Sequence, residues 1–133
     1  MDSSNNSLYG NRILNNQRGI WIHDSSDNSI YHNCFINNTI HAFVESLPNE
    51  WDDGFPSGGN FWDDYSEKYP EAQEIADSGI WDTPYVIDQD NIDNYPLIPE
   101  LPSFVVLPVF MLASLLATLV YKSRKSEVHL SSG

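Results

Sequence analysis

The chain has 133 residues and a formal net charge of −13, with 6 Lys and Arg against 19 Asp and Glu. Between Glu45 and Glu100 fifteen acidic side chains face a single lysine, Lys68, so no basic patch exists to neutralise phosphates and nucleic acid is excluded as a partner. The one cysteine, Cys34, excludes an intrachain disulfide.

The first residues, Met1-Asp-Ser-Ser-Asn-Asn, are polar and lack the basic and apolar regions of a secretory leader. The expectation is that residue 1 lies inside a longer natural protein. Residues 6–16 read Asn-Ser-Leu-Tyr-Gly-Asn-Arg-Ile-Leu-Asn-Asn, and residues 28–38 read Asn-Ser-Ile-Tyr-His-Asn-Cys-Phe-Ile-Asn-Asn. The offset is 22 residues and six of eleven positions are identical. A period in the low twenties with short apolar runs predicts a solenoid. The runs are too short for helices, and asparagine favours turns because it tolerates left-handed backbone. Residues 1–46 are therefore predicted to form about two coils of an all-β, right-handed parallel β-helix. Leu8/Ile30, Ile13/Phe35 and Ile20/Ala42 would stack inside, with Asn11/Asn33 and Asn16/Asn38 as corner ladders. A leucine-rich repeat would need a Leu-x-x-Leu-x-Leu core, which is absent. Two coils are fewer than a solenoid generally needs. Upstream coils of a longer chain are thus an expected partner.

Residues 47–95 are acidic and rich in aromatics and are predicted to be an irregular cap that blocks edge-to-edge pairing. Trp51, Trp62, Tyr65 and Trp81 are candidate platforms for sugar rings, making polysaccharide or envelope glycans candidate partners. Asp52, Asp53, Asp63 and Asp64 are candidate oxygen ligands for calcium, a hard cation. No other cofactor is expected. His23, His32 and His41 stand nine apart, and with Cys34 they form no His-x-x-His or Cys-x-x-Cys pair, so metal ligation by them is not expected. His32 and Cys34 replace Gly10 and Arg12 of the repeat, which predicts exposed, variable positions. Asp24, Asp27, Arg12 and Arg18 form no recognisable catalytic set, so no catalytic residue is assigned and a non-enzymatic role is the expectation.

Residues 96–103, with Pro96, Pro99 and Pro102, are predicted to be a stiff linker. Residues 104–121 carry no charge. As a helix rising ~1.5 Å per residue they would extend roughly 27 Å, close to a bilayer core of about 30 Å. Lys122, Arg124 and Lys125 in the tail 122–133 predict a cytoplasmic C-terminus, with the acidic part outside the cell and the chain held in the cell membrane by a single pass. Asn5-Asn6-Ser7 and Asn37-Asn38-Thr39 are glycosylation sequons on Asn5 and Asn37.

The repeat, together with the segment Trp51-Asp-Asp-Gly-Phe-Pro-Ser-Gly-Gly-Asn-Phe-Trp-Asp-Asp-Tyr65 and with Asp82-Thr-Pro-Tyr-Val-Ile-Asp88 downstream, resembles archaeal surface proteins. These carry a NosD-like right-handed parallel β-helix of the carbohydrate-binding and sugar-hydrolase superfamily. The resemblance covers roughly residues 5–125. It implies an extracellular adhesion, envelope or carbohydrate-binding module. Its alternatives are the end of a carbohydrate-active lyase, hydrolase or epimerase, or a copper-accessory protein. Related proteins carry a Gly/Asp-rich run where this chain has 66–79, and here its alternating Asp pattern is lost. Pro99-Glu-Leu-Pro, the apolar segment and the basic cluster resemble archaeosortase-type sorting tails that begin Pro-Glu-Phe, with Leu101 in the place of Phe.

Overall fold

A computed structural model describes residues 3–99. The predicted membrane helix, the tail 122–133 and the end of the linker lie outside the described residues. Among the described residues no helix is long and apolar enough to cross a membrane.

The repeat folds as read. Strands β1 (Ser7–Tyr9), β2 (Arg12–Leu14) and β3 (Arg18–His23) form one circuit of chain. Strands β4 (Ser29–Tyr31), β5 (Cys34–Ile36) and β6 (Ile40–Glu45) form the next. Each strand pairs in parallel with its counterpart, Leu8 on Ile30, Ile13 on Phe35 and Ile20 on Ala42. Parallel neighbours need a long connection, and here the connection is the rest of the circuit. The corners lie in the left-handed region at equivalent positions: φ is 62° at Asn5 and 55° at Asp27, 71° at Gly10 and 55° at His32, 60° at Asn15 and 51° at Asn37. His32 is exposed, as its place in the repeat suggests, whereas Cys34 is half-buried.

Part of the segment expected to be irregular is a third layer. Glu50 bridges Ser29, and β7 (Phe61–Trp62) lies parallel on β5, with Phe61 on Cys34 and Trp62 on Phe35. The period is hidden because Asn49 and Asn60 stand eleven residues apart where Asn28 and Asn33 stand five apart. The extra residues loop out as an acidic turn around Gly54 and Pro56. Beyond β7 come a single turn of helix, α1 (Tyr65–Lys68), and an antiparallel pair, β8 (Tyr85–Val86) and β9 (Ile92–Asp93).

The core sits between the second circuit and the cap. Phe35, Trp62 and Tyr85 stack face to face, with centroids 4.3 and 4.1 Å apart and planes within 6°. Ile30, Trp51 and Tyr65 complete it, all at most 3% exposed. In the first circuit, by contrast, Leu8 is 36% exposed where its counterpart Ile30 is 2%.

Three rows of asparagine tie the layers together. In the first, the backbone N–H and Nδ2 of Asn6 donate to Asn28 Oδ1 at 2.9 and 3.1 Å, and those of Asn28 donate to Asn49 Oδ1 at 3.1 and 2.9 Å. Asn49 N–H then donates to Asn91 Oδ1, and Asn91 Nδ2 to the Asp88 carboxylate. In the second, Asn11 donates twice to Asn33 Oδ1, Asn33 twice to Asn60 Oδ1, and Asn60 N–H to Asp93 Oδ2 at 2.7 Å. In the third, Asn16 donates twice to Asn38 Oδ1, and Asn38 Nδ2 meets His41 Nδ1 at 3.2 Å. Such rows satisfy polar groups that the stacked layers remove from water.

Candidate functional site

The third row ends at the one group of three or more His, Cys, Asp or Glu among the described residues whose ligand atoms converge. It comprises His41, Asp63 and Asp64, with the candidate atoms within 4.8 Å of one another. β6 supplies His41, at the repeat position of Gly19. The two aspartates follow Trp62 directly, so the parallel seat of β7 on β5 carries them over the imidazole. His41 is 7% exposed. Its Nε2 lies 2.8 Å from Asp63 Oδ1 and 3.4 Å from Asp64 Oδ1.

A second shell surrounds Asp64. Tyr85 Oη donates to both of its oxygens at 3.1 Å, and Lys68 Nζ lies 3.3 Å from Oδ2. Lys68 also donates to Tyr85 Oη at 2.8 Å and sits 4.4 Å from that ring's centroid. Burial alone would raise the Asp64 carboxyl, but the hydrogen bond from His41 and the Lys68 charge outweigh it and hold the group at about 2. Burial first, then the neighbouring Asp64 charge, pushes the Tyr85 phenol up, so it stays a donor. Asp63 Oδ2 accepts the N–H of Asn37 at 2.6 Å. Both carboxylates are thus engaged by the protein itself.

The residues singled out for calcium separate into two places. Asp63 and Asp64 belong to this cluster. Asp52 accepts from Gly54 N–H and from both nitrogens of Asn94, and Asp53 accepts from Ser57 Oγ. The Asp52 pair lines a separate open acidic cavity of about 570 Å³ with Glu50 and Asp90. The candidate sugar platforms are mostly internal. Trp51 and Trp62 are 1% exposed and Tyr65 3%, and their polar tips donate to Asn91, Asp93 and the Thr83 carbonyl. A sugar needs a free ring face, and of the four only half-buried Trp81, stacked 5.1 Å from Tyr65, retains part of one. Asn5 and Asn37 are exposed, and Asn37 Nδ2 donates to Asn15 Oδ1 at 2.8 Å.

His41 was passed over in the sequence because its partners are carboxylates 22 and 23 residues away, not another histidine. The signal was a histidine at the repeat position of Gly19, followed one layer later by an Asp-Asp pair. Nor did sequence single out Trp21, which is 57% exposed on β3. Its Nε1 donates to Glu45 at 2.8 Å, and the Arg18 guanidinium lies 4.9 Å from its ring and 4.7 Å from that of Phe43.

Parallel layers at a 22-residue offset, joined by asparagine rows and closed by an aromatic cap, define an all-β protein of stacked repeats. Residues 1–67 match the family described as periplasmic copper-binding protein (NosD), which takes in half of the chain, and the chain belongs to that family. No curated protein and no solved structure matches it.

Proposed function

We propose that this chain is the capped end of a right-handed parallel β-helix held outside the cytoplasm, a non-enzymatic surface or envelope module. The observation that carries this is the polarity of the asparagine rows. At the cap, two rows end on carboxylates, which only accept. At the other end Asn6, Asn11 and Asn16 present Oδ1 atoms in the register that, one layer on, accepts two hydrogen bonds each. That end fits a further coil of the same repeat, supplied by an upstream part of a longer chain. Stacked repeats add stability by nearest-neighbour contact. Inserting a second copy of residues 17–38 after residue 38 should therefore raise the urea midpoint of a single cooperative transition. A broadened transition at a lower midpoint would sink the reading. The family's periplasmic description and the apolar segment 104–121 support an exported, membrane-anchored placement, with a sorting tail as its variant. Protease shaving of intact cells should digest the acidic part, and protection of it would exclude that placement.

A glycan-binding role is better supported at exposed Trp21, flanked by Glu45 and His23, than at the buried tryptophans. A polysaccharide that binds should quench tryptophan fluorescence in the wild type and fail to do so in W21A. The family's description raises copper as a further reading. The described residues bring one imidazole and two carboxylates together, without the thiolate or thioether that selects copper(I). The state of that imidazole decides the matter for divalent ions.

A further inference from the structure

We infer that the third asparagine row ends on His41 and fixes its imidazole as the Nε2–H tautomer, so that the cluster is a proton-holding clasp between β6 and the cap, closed to divalent metal ions. The argument begins two layers away. Asn16 directs its backbone N–H and its Nδ2 at Asn38 Oδ1, at 3.0 and 3.1 Å. The Asn38 amide therefore cannot be turned over, because its nitrogen would then face two donors. Its Nδ2 spends one hydrogen on the Ile13 carbonyl at 2.8 Å and meets His41 Nδ1 at 3.2 Å with the other. An amide nitrogen only donates, so Nδ1 must accept and carries no hydrogen. The remaining imidazole hydrogen is on Nε2, where Asp63 Oδ1 accepts it at 2.8 Å and Asp64 Oδ1 flanks it at 3.4 Å. The row that orders the corners thus sets a tautomer at its end.

A metal at this cluster would need the opposite arrangement. It would take the Nε2 lone pair and send the hydrogen to Nδ1, against an Asn38 hydrogen. Metal-bound histidines place that second N–H on a carboxylate, carbonyl or water, and Asn38 offers none of these. Lys68 adds a fixed positive charge 3.3 Å from Asp64 Oδ2, where the ion's charge would be felt. The residues present therefore do not fit a divalent copper or zinc ion, although their spacing alone suggests one. What the arrangement does instead is mechanical. One N–H joins the stacked strands to the first residues after β7, in a place where the imidazole is buried among Phe35 and Trp62.

The reading makes an unusual demand, that changing one asparagine should create a metal site. In Asn38→Asp the carboxylate still accepts from Asn16 and now also accepts an Nδ1–H, at the loss of the bond to the Ile13 carbonyl. Zinc and copper(II) titrations of the full 133-residue chain should show no binding event that differs between wild type and H41Q. N38D should gain one site, tighter than any in the wild type by roughly 10–100-fold and removed again in N38D/H41Q. One equivalent bound by the wild type and lost in H41Q would overturn the inference, as would a folded N38D with no added site. Long-range 1H–15N correlation spectra of the unmodified chain provide an arm that does not depend on the variant's folding. The His41 pattern should be that of Nε2–H, and an Nδ1–H pattern would refute the assignment outright.

Discussion

The two circuits of 5–46 and the cap of 47–98 use the same chemistry with opposite economy. In the circuits, each asparagine is repeated 22 residues later and stacks on its own kind, while large side chains stay half-exposed. In the cap, the asparagines recur at irregular spacings, yet Asn49, Asn60 and Asn91 are each at most 8% exposed and the aromatic rings fill the core. Stability is therefore concentrated where the repeat is hardest to see. The difference teaches that the circuits specify register, and the cap supplies the apolar burial that holds it.

The largest test of that division is Trp62→Ala. It removes the middle ring of the Phe35–Trp62–Tyr85 stack and the donor to Asp93, and should cost about 3–5 kcal/mol, enough to unfold much of a marginally stable chain. Urea unfolding followed by circular dichroism measures it. Two asparagines of one row give a sharper contrast. Asn60 donates to the Ile30 and Trp51 carbonyls and accepts from Asn33 at full burial, so Asn60→Ala should cost on the order of 3 kcal/mol through stranded polar groups. Asn11, at the exposed end, should cost less than about 1 kcal/mol. Equal losses at the two positions would mean that burial does not grade the row.

A glycine pair comes next. A Cβ at Gly59 would overlap the Asp93 carboxylate, whereas one at Gly10 would meet nothing and face only the left-handed backbone at φ 71°. Gly59→Ala should destabilise by about 1–3 kcal/mol through overpacking, and Gly10→Ala by about 1 kcal/mol, read from the shift in urea midpoint.

Acidity separates two carboxylates. Burial pushes Asp93 up to about 7 against the pull of N–H donors from Asn60, Trp62 and Tyr95. With its folded value above its unfolded one, the folded state binds the extra proton between about 4 and about 7. Asp93's contribution to stability is therefore greatest at the acidic end of that window and falls as pH rises through it. Asp64, held at about 2, contributes above about 4 and loses that contribution as pH falls toward 2. Melting temperature followed against pH should lose the first slope in D93N and the second in D64N. A D93N profile identical to wild type between pH 4 and 7 would show that this buried carboxyl does not titrate there.

The circuits were legible because their period survives in the letters. Asn6/Asn28 and Asn11/Asn33 announce the corner, and the apolar residues between them announce the strands. The third layer was not legible, because an inserted loop separates Asn49 from Asn60 and two-residue β7 is too short to show a pattern. The cap's density of tryptophan and tyrosine was read for sugars as well as for closure. Sequence alone does not distinguish a ring that faces outward from one that closes a stack, since both require the same residue. His41 failed for a related reason. Its role depends on which nitrogen carries a hydrogen, and that is decided by Asn16 and Asn38 through space.

The asparagine rows have an electrostatic consequence of their own. Every side-chain amide in a row points its hydrogens toward the cap, so the amide dipoles are aligned head to tail, as peptide units are in a helix. The positive end of each row lies at the cap, and in two of the three a carboxylate stands there, Asp88 in one and Asp93 in the other. These residues play the part that an acidic side chain plays at the start of a helix. A positively charged side chain at either position would oppose the whole row, and lengthening the stack would deepen the field that keeps a buried aspartate in place.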